Sequence, residues 1–121
     1  MRFLSPTFHG FVDYAAAIAL IAAPIFILPA DAPTIAIWLS KIAGGALIVY
    51  SLLTDYSASI RNAIPFKLHL AIDFIAGAAF IAAPFVLGFE GVTKLYYLVM
   101  GVAIVLVVLV TNPNTRTEAE M

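Results

Sequence analysis

Four long apolar runs follow one another along the chain, and short clusters of polar residues, prolines or glycines separate them. Each run is about as long as the ~20 residues that a helix needs to cross the hydrocarbon core of a bilayer. We therefore predict four transmembrane helices, at about residues 7–28, 34–56, 66–87 and 92–110. The fourth run is rich in β-branched residues, but a lone strand in lipid would leave its backbone groups without hydrogen bonds. A helix is the better prediction there as well.

The segments between the runs disfavour helix. Residues 5–7 form a helix start, since hydroxyl side chains cap free N–H groups and proline is tolerated in the first turn. Residues 29–33 contain two prolines, which cannot continue a helix, and residues 88–91 make a tight connection with two glycines. Residues 57–62 are the only clearly polar internal stretch, and they divide the chain into two halves.

The two halves repeat each other. His9 and Asp13 recur 60 positions later as His69 and Asp73, and each copy is followed by an Ala-Ala-Pro sequence. The second helices match at an offset of 57, because the first hairpin is three residues longer. We predict a single membrane domain over residues 1–121, with repeat 1 at about 5–56, a linker at about 57–64, repeat 2 at about 65–113 and a tail at 114–121.

The direction of the repeats follows from the number of spans. Each repeat has two spans, so both copies enter the membrane from the same side and are related by an axis along the membrane normal. Arg2, Arg61, Lys67 and Arg116 fall on the side that holds both termini, whereas Lys94 alone lies clearly near the opposite side. The positive-inside rule then predicts that both termini are cytoplasmic.

The composition supports a membrane protein and excludes several function classes. Hydrophobic residues make up 64% of the chain, charged residues only 11%, and the mean hydropathy is +1.07. These values lie far from those of soluble domains, in which about 25% of residues are charged. The net charge of −1 leaves no basic surface for nucleic acid. We expect membrane lipids as partners, and also a second copy of the chain, because so small a bundle buries little surface. Without cysteine, the chain forms no disulfide and no cysteine-type metal site.

The sequence around the repeated proline resembles the SPW repeat family of small prokaryotic membrane proteins. In that family each repeat is a pair of transmembrane helices, with Ser-Pro-Trp in the first helix. The matching tripeptides here are Ala-Pro-Phe around Pro84 and Ala-Pro-Ile around Pro24, which keep the proline and lack the serine and the tryptophan. The resemblance implies a multi-pass protein of the plasma (inner) membrane of a prokaryote, with the topology described above and no established reaction.

Pro24 and Pro84 also have a physical role in their helices. Each removes a backbone N–H and frees the carbonyl four residues earlier, that of Leu20 or Phe80. We therefore predict matching kinks in helices one and three.

The two His–Asp pairs form the candidate site. Residues four apart share a helix face, so His9 lies beside Asp13 and His69 beside Asp73. An aspartate near the bilayer centre costs about 2.5–3.5 kcal/mol, so both should face protein. Parallel repeats place the two pairs at similar depth, where they can face each other across the repeat axis. The many alanines and glycines of helices one and three predict that these two helices are the inner pair and approach closely.

Four hypotheses explain such a polar cluster. The first is structural, with hydrogen bonds that fix the register between the repeats. The second is a proton or ion path that also uses Tyr14 and Asp55. The third is a metal site, since two histidines and two aspartates are sufficient ligands for zinc or a similar ion, and a metal-dependent hydrolase is a smaller part of this hypothesis. The fourth is a lipid-headgroup site near Arg2, Arg61 and Lys67. We favour the structural, non-enzymatic role.

Aromatic residues mark the opposite interface. Trp38, Tyr96 and Tyr97 fall near the ends of their helices that lie away from the His–Asp pairs. We expect them at the membrane surface, as in the aromatic belts of other membrane proteins.

Overall fold

The computed structural model describes residues 3–54 and 64–112, and within these residues the chain is a bundle of four helices without a β-strand. The helices are α1 (Pro6–Phe26), α2 (Thr34–Leu52), α3 (Phe66–Leu87) and α4 (Gly91–Val110). All four are long and apolar enough to cross a membrane. The prediction of an all-α protein with four transmembrane helices is confirmed. Residues Arg2, Asp55, Arg61 and Arg116 lie outside the described residues.

The helix ends follow from local sequence. Ser5 caps α1, because its hydroxyl oxygen accepts a hydrogen bond from the backbone N–H of Phe8 at 3.2 Å. Gly88 ends α3 in the left-handed conformation, with a φ of 74°, which glycine adopts without steric cost. Helix α2 ends at Leu52, earlier than the predicted residue 56, because Leu53 and Thr54 fold into a turn.

The closest backbone packing lies within each repeat, between α1 and α2 and between α3 and α4. A Cβ atom added at Gly44 of α2 would lie 2.7 Å from the carbonyl oxygen of Ala17 in α1. One added at Gly101 of α4 would lie 2.7 Å from the carbonyl oxygen of Gly77 in α3. The prediction that α1 and α3 are the closely packed inner pair was therefore wrong. Instead, Ala17 of α1 packs against Gly44 of α2, and Gly77 of α3 packs against Gly101 of α4.

Both repeats run in the same direction, which defines two ends of the bundle. At the histidine end, α1 and α3 begin and α2 and α4 finish; the opposite end is called the tyrosine end. Two short backbone bridges join the repeats at the histidine end, Leu4 with Thr111 and Thr54 with Ile64. The N–H of Leu4 donates to the carbonyl of Val110 at 2.9 Å. The two bridges occupy equivalent positions in the two repeats, as parallel repeats require.

Candidate functional site: a buried histidine–aspartate cluster

The structure brings His9, Asp13, His69 and Asp73 together at the histidine end, between the two repeats. One ligand-type atom from each residue lies within 4.8 Å of all the others. Both histidines have no exposed surface, and the aspartates are only 5% and 4% exposed. We call these four residues the His/Asp cluster. Such complete burial means that every charge in the cluster must be balanced by a neighbour.

The hydrogen bonds of the cluster run across the repeats as well as along each helix. Nε2 of His69 lies 2.7 Å from an oxygen of Asp13, and Nε2 of His9 lies 3.1 Å from an oxygen of Asp73. Within each helix, the distances from His9 to Asp13 and from His69 to Asp73 are both 3.1 Å. Each Nε2 atom therefore lies within bonding distance of two carboxylates, one from each repeat.

Two threonines hold the other nitrogen of each imidazole. Nδ1 of His9 lies 2.8 Å from Oγ1 of Thr111, and Nδ1 of His69 lies 2.7 Å from Oγ1 of Thr54. Each threonine hydroxyl donates its only hydrogen to the backbone carbonyl four residues earlier, at 2.5 Å for Thr111 and 2.6 Å for Thr54. The threonine oxygen must then accept from Nδ1–H. Both rings are thereby oriented with Nδ1 protonated and Nε2 directed at the carboxylates.

This arrangement restricts the charge state of the cluster. Two ionised carboxylates facing two imidazoles without a proton on Nε2 would leave a charge of −2 and only acceptor atoms at the centre. Two protons, one on each Nε2, bring the net charge to zero and supply the donors for the contacts. One divalent cation bound by all four side chains also brings the charge to zero. The same residues thus serve an ion-paired centre or a metal centre.

Two aromatic residues complete the surroundings of the cluster. Tyr50, from α2, donates a hydrogen bond from its hydroxyl to Oδ1 of Asp73. The equivalent position in the second repeat is Val107, which offers no donor. Phe66 is 3% exposed, and its ring lies 5.5 Å from that of His9 and 5.9 Å from that of His69, measured between centroids. The ring of Phe66 therefore shields both imidazoles from water.

A cavity of about 110 Å³ lies beside the cluster in the middle of the bundle, with lining residues from all four helices. Asp13, Asp73 and Tyr50 supply polar groups to its wall, and the remaining lining residues, including Leu20 and Phe80, are apolar. Phe80 stacks on Tyr97 with 4.7 Å between ring centroids. The polar part of the cavity is therefore confined to its boundary with the cluster.

The tyrosine end contains a second, smaller polar network between the repeats. Ser40 donates to the carbonyl oxygen of Leu20 at 2.7 Å, so the hydroxyl of Tyr96, 2.6 Å away, donates to Ser40. The hydroxyl of Tyr97 donates to the carbonyl oxygen of Ala36 at 2.5 Å. Tyr96 is 7% exposed and Tyr97 is fully buried, so their prediction as aromatic-belt residues was wrong. Their hydroxyls are satisfied inside the bundle, not at a membrane surface.

Pro24 and Pro84 lie in the last turns of α1 and α3, and both are buried. The carbonyl of Leu20, four residues before Pro24, receives the hydrogen bond from Ser40. The backbone group that the proline leaves without its helical partner is thus satisfied by the other helix of the repeat. The matching kinks stay a prediction.

Several residues of the site were absent from the sequence-based prediction. Thr54 and Thr111 occupy equivalent positions in the repeats, so their duplication was a usable signal. Tyr50 and Ser40 are not duplicated, and nothing in the pattern marks them. Of the residues named for a proton path, Tyr14 is partly exposed and does not line the cavity, and Asp55 lies outside the described residues.

Comparison with known proteins agrees with this architecture. The family model of the SPW repeat domain matches residues 7–111, which include α2, α3 and α4, all of α1 except Pro6, and the whole His/Asp cluster. Searches of curated proteins and of solved structures gave no match. The match spans most of the chain and confirms the resemblance noted at the repeated proline. This protein is a multi-pass membrane protein and belongs to the SPW repeat family.

Proposed function

We propose that this is a non-enzymatic membrane protein in which the His/Asp cluster joins the two repeats into one stable bundle. The observation that carries the proposal is the crossed pairing of the cluster, His9 with Asp73 and His69 with Asp13. Each carboxylate contacts a histidine of the other repeat, and each histidine also contacts a threonine that follows the second helix of a repeat, so the buried groups of one repeat find partners in the other. The cluster is therefore suited to holding the repeats together.

Because the repeats pack loosely against each other, these polar contacts contribute strongly to holding them together. Close backbone contact lies within the repeats, whereas α2 and α3 touch far less and no other pair of helices from different repeats packs as extensively in the described residues. In a bilayer, apolar side chains gain little from meeting each other, since lipid is equally apolar. Hydrogen bonds and ion pairs between buried groups then contribute a large share of the association of the repeats.

The surroundings of the cluster support a static role over ion translocation. A conducting path needs polar groups or water along the bundle. Beyond the carboxylates and Tyr50, the cavity wall is apolar, and the stacked rings of Phe80 and Tyr97 follow it. This arrangement favours two repeats held in one geometry.

We also propose that the histidine end faces the cytoplasm of a prokaryotic cell. Arg2, Arg61 and Arg116 flank the spans on this side in the sequence, and Lys67 lies in the first turn of α3. The outward faces of the helices carry large apolar side chains such as Phe11 and Phe26, which are 62% and 82% exposed. These faces suit contact with lipid and with a second copy of the chain.

The test is the stability of two single variants, Asp13→Asn and Asp73→Asn, in detergent. Each variant should lower the free energy of unfolding by about 3 kcal/mol or more, because it removes one partner from a buried charged network. Asp31→Asn is the matched control, since Asp31 is exposed in the first hairpin. Both cluster variants should melt at lower temperature and the control should not. Unchanged stability, together with loss of a proton or ion flux in proteoliposomes, would contradict the proposal and favour translocation.

A further inference from the structure

We infer that the His/Asp cluster binds one divalent transition-metal ion, such as Zn²⁺, on the axis between the repeats. The inference rests on the proposed function, because the ion would be the means by which the cluster joins the repeats. It adds a bound metal ion, which the crossed hydrogen bonds alone do not require.

The donor atoms have the right number and kind. Two imidazole nitrogens and two carboxylates make four ligands, which is the usual set for a closed tetrahedral site. Ligand atoms about 2.0–2.1 Å from a tetrahedral ion lie roughly 3.3 Å from each other. The nitrogen-to-oxygen distances in the cluster are 2.7–3.1 Å, and one donor atom from each residue lies within 4.8 Å of the others. Small side-chain movements therefore convert the present geometry into a coordination shell.

The residues behind the ligands are those expected around a metal. A metal-bound histidine needs its second ring nitrogen held by a hydrogen-bond acceptor, which fixes the ring and its tautomer. Thr111 and Thr54 do this for His9 and His69, because their hydroxyls are committed to backbone carbonyls and can only accept from Nδ1–H. Tyr50 likewise orients one carboxylate, that of Asp73. The Nε2 atoms of both histidines are the nitrogens left to bind an ion.

Charge and ligand chemistry select the kind of ion. Two carboxylates with two neutral imidazoles carry a charge of −2, which a divalent cation cancels inside an apolar bundle. A monovalent ion would leave an unbalanced charge. Imidazole nitrogen suits zinc, cobalt, nickel and copper, whereas magnesium and calcium prefer oxygen ligands. None of the four residues is more than 5% exposed, which favours a closed structural site over a catalytic one with an open position.

The experiment uses the full chain, purified in detergent through a tag that does not bind metal. Elemental analysis should find about one equivalent of a transition metal per chain, the ratio of a single site that all four residues share. Removal by a chelator should lower the melting temperature, and Zn²⁺, but not Mg²⁺, should restore it. Replacement by Co²⁺ should give the visible absorption bands of tetrahedral coordination, which binding at the protein surface would not produce.

Threonine variants test the site without removing a ligand. Thr111→Val and Thr54→Val keep all four ligands but remove the acceptor for Nδ1–H, so each should weaken Zn²⁺ binding by about 10–100-fold. Thr111→Ser keeps the hydroxyl and should bind nearly as tightly as the original chain. Asp31→Asn is again the control, with unchanged binding. Gel filtration confirms that each variant is folded before its affinity is measured.

The failure of this inference can be told apart from failure of the proposed function. It is overturned if the protein contains less than roughly a tenth of an equivalent of any transition metal and shows neither a Zn²⁺-dependent thermal shift nor tetrahedral Co²⁺ bands. The proposed function still stands in that case if Asp13→Asn and Asp73→Asn destabilise the bundle. If the metal binds but those two variants are as stable as the original chain, the proposed function fails and the metal site remains.

Discussion

The two ends of the bundle join the repeats in different ways. At the histidine end, the histidine, the aspartate and the histidine-bound threonine of one repeat each have an identical counterpart in the other, with the same histidine–aspartate and histidine–threonine pairings. At the tyrosine end, the positions whose side chains form hydrogen bonds carry different residues in the two repeats. Ser40 corresponds to Tyr97 and Leu39 to Tyr96 under the offset of 57. The histidine end therefore repeats the hydrogen-bonding residues of its cluster, whereas the tyrosine end does not.

The difference follows from what lies on the axis at each end. The His/Asp cluster is a single object shared by both repeats, so each repeat must supply the same donors and acceptors at the same height. At the tyrosine end, the side chains must only fill the space between the repeats and give each buried polar group a hydrogen-bond partner. One repeat there contributes the small hydroxyl of Ser40 and the other contributes two large phenols, of Tyr96 and Tyr97. Complementary residues meet that requirement as well as identical ones do.

The largest expected effect comes from removing one imidazole at the histidine end. His9→Leu and His69→Leu should each lower the free energy of unfolding by about 3–5 kcal/mol, because two buried carboxylates then share one histidine. Because both histidines make the same kinds of contact with aspartate and threonine, the two losses should agree within about 1 kcal/mol. Denaturant unfolding in detergent, followed by circular dichroism, measures both. A large difference between the two variants would show that the cluster is not shared equally.

Much of the fold could be predicted from the sequence, because a bilayer constrains helices strongly. The lengths of the apolar runs give four helices, and α3 begins and ends at the predicted residues. The His–Asp pairs could be placed on common faces because a spacing of four fixes their relative direction. The recurrence of the pairs after 60 residues then placed both at the same end.

The remaining features depend on the rotation of each helix about its own axis, which composition does not give. Small residues on α1 and α3 predict a close neighbour but not which one, and the neighbours are α2 and α4. Tyr97 lies near a helix end, where an aromatic residue suits the membrane surface, yet its face points inward. The threonines that contact the histidines follow the C-terminal ends of α2 and α4, so only the folded chain brings them next to the histidines of α1 and α3.

The next largest loss of stability should come from the packing between the two helices of one repeat, which does not involve the polar networks at either end of the bundle. Gly101→Ala should lower the free energy of unfolding by about 1–3 kcal/mol, because its Cβ would lie 2.7 Å from the carbonyl oxygen of Gly77 and 2.9 Å from the backbone nitrogen of Ile81. Gly45→Ala is the control, since a Cβ there has no atom within 4 Å. The control should be neutral or stabilise α2 by up to about 1 kcal/mol. Thermal melting of the two variants checks this prediction, and equal melting temperatures would contradict it.

The tyrosine end should respond less than the histidine end. Ser40→Ala removes the donor to Leu20 and the acceptor for Tyr96, and we expect a loss of about 1–2 kcal/mol. Ser51→Ala is a matched control, because within the described residues the buried hydroxyl of Ser51 has no hydrogen-bond partner. That variant should be neutral or slightly stabilising. If Ser40→Ala cost as much as the loss of a histidine, the two ends would be of equal importance for joining the repeats.

The smallest expected effect concerns a hydrogen bond at the histidine end that has no counterpart in the other repeat. Tyr50→Phe removes the hydrogen bond to Asp73 and should cost about 1 kcal/mol, a usual value for a buried hydrogen bond between membrane helices. A double-mutant cycle with Asp73→Asn isolates that contact, and the same cycle with Asp13→Asn is its control. The coupling energy should be about 1 kcal/mol with Asp73 and clearly smaller with Asp13, because the hydroxyl of Tyr50 has a single hydrogen and donates it to Asp73. Equal coupling to both aspartates would mean that Tyr50 acts on the cluster as a whole, and the symmetry of this end would then be more complete than its hydrogen bonds indicate.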